Sequence, residues 1–146
     1  MENIINNRTL TANKLLELPS PVLLCSKRDD FIQAIADADI QTVSLNLPLA
    51  RELMGKTENE IATSVTATAL RLMPDGLPVF LSDYEMLFDP RYKLDVIKVF
   101  CEISRYNTLI VKWCGSFDGD ALIYAEPGYD DYSRYRVSDY EIACVI

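Results

Sequence analysis

The chain has 146 residues, 49% of them hydrophobic and 25% charged, and it contains no histidine. That length suits a single domain over residues 1–146, able to bury a core without staples, and the composition is not that of a disordered or repetitive chain. The missing imidazole removes Ser–His and Cys–His nucleophiles and most transition-metal sites, and a net charge of −8 opposes unaided binding to DNA.

Taken in order, the polar stretch Glu2 to Arg8 leads to Thr9 or Thr11, either of which can cap a short helix carrying Leu10, Leu15 and Leu18. Pro19-Ser20-Pro21 ends it, and Val22-Leu23-Leu24-Cys25 reads as a buried strand. Ser26 stands three residues before Asp29, a capping spacing, ahead of the helical stripe Phe31, Ile32, Ile35 and Ala36. Thr42 to Leu45 is the second strand, and Pro48 opens a helix where its missing N–H costs nothing.

Thr57-Glu58-Asn59-Glu60 is a capping box, with Ile61, Val65, Ala69 and Leu72 following at helical spacing. Pro74-Asp75-Gly76 stops that helix, and Pro78 precedes the strand Val79-Phe80-Leu81. Asp95 starts a helix whose inner face is Val96, Val99, Phe100 and Ile103. Thr108 to Trp113 is the next strand, Leu122-Ile123-Tyr124 a short edge strand, and Tyr140 to Ile146 the last.

Strands alternate with helices and are mostly continuous apolar runs. That is the pattern of a parallel sheet covered on both faces, hence a three-layer α/β domain. Ligands approach such sheets at the carboxyl ends of the strands. Those ends carry Cys25-Ser26, Asn46, Ser82-Asp83-Tyr84-Glu85 and Cys114-Gly115.

A phosphate-binding loop after the first of these strands needs glycines, a Lys and a Ser or Thr. Cys25-Ser26-Lys27-Arg28-Asp29-Asp30-Phe31 offers no glycine and sets two carboxylates where phosphate would sit. The acids after Leu81 are the place for a Mg²⁺-holding edge, but polar strand ends are common and no metal site is assigned. Asp118/Asp120 and Asp130/Asp131 read as turn acids beside Gly119 and Gly128. Cys25, Cys101, Cys114 and Cys144 are widely spaced and read as free thiols of a reducing compartment. Without a basic-then-apolar leader or a run of roughly 18 apolar residues, the expectation is a cytoplasmic protein with no membrane partner.

Several segments together resemble BrxF, the small P-loop ATPase-like family of type 3 BREX phage-defence systems. They are Val43 to Leu53, Glu85-Met86-Leu87-Phe88-Asp89-Pro90, Ile103 to Val111 with Trp113, and Tyr124-Ala125-Glu126-Pro127-Gly128-Tyr129 with Tyr132, Arg134 and Tyr135. The resemblance implies a P-loop NTPase-like domain, here with a degenerate phosphate-binding loop, and a defence pathway. It does not carry ATP hydrolysis onto these residues, because the Walker A loop is missing. Registered on Glu85, Leu87 and Phe88, Ser82 occupies the place of the Walker B acid, and Asp83 substitutes only after a one-residue shift.

The expectation is therefore a catalytically silent scaffold or regulatory subunit, without cofactor or catalytic residues, that binds other defence-system proteins. Asp83, Glu85 and Arg105 are the candidate nucleotide contacts. Tyr129, Tyr132, Arg134 and Tyr135 are the candidate partner contacts, within a surface segment running from Tyr124 to Tyr140, since Tyr and Arg are enriched at interface hot spots. A homo-oligomer is compatible with this reading. Two alternatives stand beside it: a composite ATPase completed by a partner, and an acidic decoy or inhibitor of a DNA-binding defence protein.

The charge alone generates a prediction. At about 150 mM salt the isolated protein should not retard unrelated duplex DNA, because duplex binding is driven by cations displacing counterions. A mobility shift with unrelated duplexes, lost at high salt, would refute it.

Overall fold

The computed structural model describes residues 4–6, 11–19, 21–26, 33, 35 and 40–146. Its main sheet is built from β1 (Ile4–Ile5), β2 (Val22–Leu24), β3 (Gln41–Ser44), β4 (Val79–Ser82), β5 (Leu109–Lys112) and a late strand, β9 (Ala143–Val145). The six lie in the order β1-β9-β2-β5-β4-β3, and every neighbouring pair is parallel. β2 is central in register, with Leu23 opposite Val111 on one side and Cys144 on the other.

Alternate residues of each strand point to opposite faces, so an apolar run needs cover on both. Leu23, Val79, Leu81, Leu109, Val111 and Cys144 face one core, and Val22, Leu24, Phe80, Ile110, Ala143 and Val145 face the other. The first core is closed by α2 (Asn46–Leu53), α3 (Glu58–Arg71) and α4 (Val96–Ile103). The second is closed by Leu15 of α1 (Ala12–Leu15) together with Ile35 and Ile40. An α/β sheet covered on both faces is what the apolar runs imply.

Local signals explain the helices. Thr11 caps α1, accepting a hydrogen bond from the Lys14 amide. Thr57 caps α3: it accepts from the Glu60 amide while the Glu60 carboxylate accepts from the Thr57 amide, the full reciprocal box. Asp95 caps α4 through the Lys98 amide, and Val96, Ile97, Val99, Phe100 and Ile103 are buried. Buried Asn107 donates to the carbonyls of Pro74 and Leu77, tying the α3–β4 turn to the start of β5. Lys27 to Ile32 and Ala36 lie outside the described residues, and with them the helix that Ser26 is expected to cap.

Two expectations are corrected. Leu122-Ile123-Tyr124 is no edge of the main sheet. It belongs to β7 (Ala121–Tyr124), the middle strand of a separate antiparallel sheet with β6 (Ser116–Phe117) and β8 (Ser133–Arg136). The final strand covers only Ala143–Val145, because Val137–Asp139 forms a 3-10 turn and Ala143 is the first residue in register, opposite Val22. β1 and β8 have no sequence counterpart: the first is two residues in a polar stretch, and the second alternates Tyr with Arg.

Gly115 sits where β5 turns into the small sheet. A Cβ built on it would lie 1.8 Å from the Ile123 carbonyl oxygen, a backbone atom that cannot swing away. Gly115→Ala should therefore destabilise by about 3 kcal/mol, the upper end for forced overpacking. An unchanged denaturant midpoint would show that the two strands part easily.

Candidate functional site at the carboxyl edge

In the main sheet the chain leaving β2 passes β5 and β4 to reach β3, whereas the chain leaving β5 goes the other way, past β2, to β9. The ends of β2 and β5 thus flank the crevice where a parallel sheet usually takes its ligand. Anion binding there requires backbone N–H groups aimed into the crevice.

Among the described residues, three N–H groups at this edge are already engaged. The Cys25 and Ser26 amides both donate to the Val145 carbonyl, at 2.8 and 3.0 Å, and the Trp113 amide donates to the Leu24 carbonyl at 3.1 Å. Tyr84, fully buried, joins β4 to β5: its hydroxyl donates to the Lys112 carbonyl at 2.6 Å and accepts from the Cys114 amide at 3.0 Å. Burial, then the neighbouring Cys114, raises the Tyr84 phenol well above its ordinary value, so it stays protonated and can donate. The Cys25 thiol is likewise raised, by its hydrogen bond with Cys144 and by burial. All four cysteines are free thiols; Cys144 is buried, Cys25 and Cys101 are half-buried and Cys114 is exposed.

The acids after β4 are held just as firmly. Asp83 adopts a left-handed backbone, φ 51°, and its carbonyl accepts from the Leu45 and Asn46 amides. Its carboxylate accepts from the Ser44 hydroxyl at 2.6 Å. Glu85 accepts from the Asn46 amide nitrogen at 2.9 Å, while the Asn46 amide oxygen accepts from the Met86 N–H at 3.0 Å. Ser82 sits within the ladder opposite Ser44, its carbonyl taken by the Leu45 amide. Among the described residues no group of three or more acidic or cysteine side chains stands close enough to hold a metal ion.

Asp83 and Glu85 are thus brought together, but Arg105 is not. It follows α4 and precedes β5, which places it at the amino edge of the sheet, exposed and beside a different cleft. The three candidate nucleotide contacts do not form one site. Ser44 and Tyr84 are the residues sequence reasoning gave no role. Asn46 stood visibly at a strand end, but its clasp on Glu85 needs the β3–β4 pairing to be known.

Compared with known proteins, the chain matches no family model, no curated protein and no solved structure.

The candidate partner contacts separate too. Tyr129 is exposed at the tip of the β7–β8 hairpin, and Tyr132 is half-buried. Arg134 bridges Asp118 and Asp120, at 3.3 and 3.2 Å, and Arg136 meets Asp120 at 3.5 Å. Asp118 also accepts from the Asp120 and Ala121 amides, which hold its carboxyl below the usual range; it is the turn acid expected there. Tyr135 is a correction: it is buried, packed near Phe88 and Tyr140. Its residue type marks it as a partner contact, but β8 has period two and turns Tyr135 inward while Arg134 and Arg136 face out.

The Tyr84 bridge is testable. Tyr84→Phe keeps the ring but strands the Lys112 carbonyl and the Cys114 amide, and should cost about 2 kcal/mol, within the usual penalty for buried unpaired groups. A denaturant midpoint equal to that of the parent would show that water replaces the hydroxyl freely.

Proposed function

We propose that this chain is a catalytically silent, BrxF-like scaffold or regulatory subunit of a bacterial anti-phage assembly of the BREX type, with a P-loop NTPase-like layout whose phosphate loop has degenerated. The observation that carries the silent part is the engagement of the Cys25 and Ser26 amides by the Val145 carbonyl. A phosphate cradle is built from backbone N–H groups between the strand end and the start of the following helix, and the first two amides of that stretch are held here by a neighbouring strand end.

The other nucleotide-handling parts point the same way. The segment after β2 contains no glycine. Mg²⁺ would need carboxylates with free lone pairs aimed at one point. Asp83 and Glu85 are instead turned toward Ser44 and Asn46. The residues present do not fit Mg²⁺–ATP, and no step through it is drawn. The defence assignment rests on the sequence resemblance, and the parallel sheet with helices on both faces is compatible with it. No described helix is long and apolar enough to cross a membrane.

Titration calorimetry of the isolated protein with Mg²⁺–ATP should give no saturable heat up to millimolar nucleotide. Binding in the micromolar range would overturn the silent reading. The same titration on the protein co-purified with other subunits of such a system separates the composite-ATPase alternative, which requires binding to appear only in the complex.

A further inference from the structure

The molecule carries two exposed surfaces of opposite charge at opposite ends. The first is the tip of the β7–β8 hairpin. Tyr124 pairs with Ser133 at the last rung, and between them Glu126, Asp130 and Asp131 surround Tyr129, which is 65% exposed. Among the described residues no cation pairs with these three carboxylates. The cations of the adjoining strand, Arg134 and Arg136, are turned to Asp118 and Asp120 instead.

The second is a cleft of about 400 Å³ between α3 and α4, lined by Thr66, Lys98, Cys101, Glu102, Arg105 and Tyr106. Lys98 of α4 and Arg105, two residues past its end, both line it. The carboxylate between them, Glu102, accepts a hydrogen bond from the Thr66 hydroxyl at 2.9 Å. Among the described residues neither Lys98 nor Arg105 has a carboxylate partner, and Tyr106 at the rim is 69% exposed. The lining itself thus holds two cations against one carboxylate, on a chain whose net charge is −8.

We propose that the acidic, tyrosine-bearing tip of one copy docks in the Lys98–Arg105–Tyr106 cleft of a second copy. The chemistry matches on both counts. Three carboxylates meet two unpaired cations, and the Tyr129 ring meets the Tyr106 ring and the half-buried Cys101, whose thiol burial pushes up to about 11 and keeps neutral. The geometry is that of a head-to-tail contact. Tyr124 stacks on Phe88, just past the carboxyl end of β4, whereas Arg105 and Tyr106 immediately precede the amino end of β5. Tip and cleft are different patches on each molecule, so the assembly is heterologous: it closes into a ring or extends as a filament, and it is not a two-fold dimer. This inference stands apart from the scaffold reading, since self-association requires no defence partner.

Sedimentation velocity over a concentration series tests it, at about 0.1 M and about 1 M salt, between which the Debye length falls from ~10 Å to ~3 Å. The wild type should form species beyond a dimer at the lower salt and dissociate at the higher. Lys98→Ala with Arg105→Ala, and separately Asp130→Asn with Asp131→Asn, should each weaken association at least tenfold while leaving the unfolding midpoint in place. Mixed together, the two variants retain one intact tip and one intact cleft, and should give a 1:1 heterodimer that grows no further. If Lys98→Ala disturbs α4, Arg105→Gln alone, beyond the helix, replaces the first pair. A wild type that stays monomeric at every concentration overturns the proposal, as does association that both variant pairs leave intact or a mixture that forms no heterodimer.

Discussion

The strands of the main sheet are apolar on both faces, and everything else in the molecule follows from how that surface is covered. Four of its strands, β9, β2, β5 and β4, are buried along almost their whole length, and it is mainly the outer strands β1 and β3 that meet solvent. Each face must therefore carry a layer, and α2, α3 and α4 share one of them with the small antiparallel sheet. Because the small sheet lies over the same core, Phe88 can stack on Tyr124 at 3.8 Å and approach Trp113 edge-on at 6.0 Å. The turn after β4 is thereby coupled directly to the hairpin. A change at either should be felt at the other, since the rings between them are packed without slack.

The same packing accounts for the closed carboxyl edge. Open α/β sheets bind ligands there because diverging loops leave backbone N–H groups unpaired. In this chain the last strand ends beside β2, and the Val145 carbonyl takes the Cys25 and Ser26 amides. A buried tyrosine hydroxyl then joins β4 to β5, and Ser44 at the end of β3 and Asn46 at the start of α2 clasp the acids that follow β4. Each of these bonds contributes only about 1 kcal/mol in net terms, but opening the crevice would break several together and leave buried groups unpaired. Among the described residues, the polar groups at this edge are engaged with their neighbours.

The parts legible in the sequence were those with local causes. α3 and α4 could be read from Thr57, Asp95 and their apolar spacing, and the central strands from their apolar runs. What escaped was set by contacts between distant segments. β1 is two residues that become a strand only because β9 offers an edge, and β7 changes sheets because Gly115 lets the chain turn against the Ile123 carbonyl. Tyr135 was misplaced for a related reason. Residue type alone cannot tell an interface tyrosine from a core one, and the strand period of β8 turns Tyr135 into the core. At the candidate site, Asp83 and Glu85 were visible as acids at a strand end. That Ser44 and Asn46 hold them depends on the β3–β4 register, which no local pattern encodes.

The charge distribution bears on which surface such a protein presents to others. Copies carrying a net charge of −8 repel one another at long range, which at first sight argues against any self-contact. At about 0.1 M salt, however, that repulsion is screened beyond ~10 Å, whereas charges brought into contact with partial exclusion of water are screened far less. The sign of the local pairing then outweighs the sign of the total. The hairpin tip lacks cations of its own because Arg134 and Arg136 are held by Asp118 and Asp120 one turn away. Had those arginines been free, the tip would neutralise itself and carry no preference for a basic cleft. The ion cluster at the base of the hairpin is therefore what leaves its tip anionic beside the exposed ring of Tyr129.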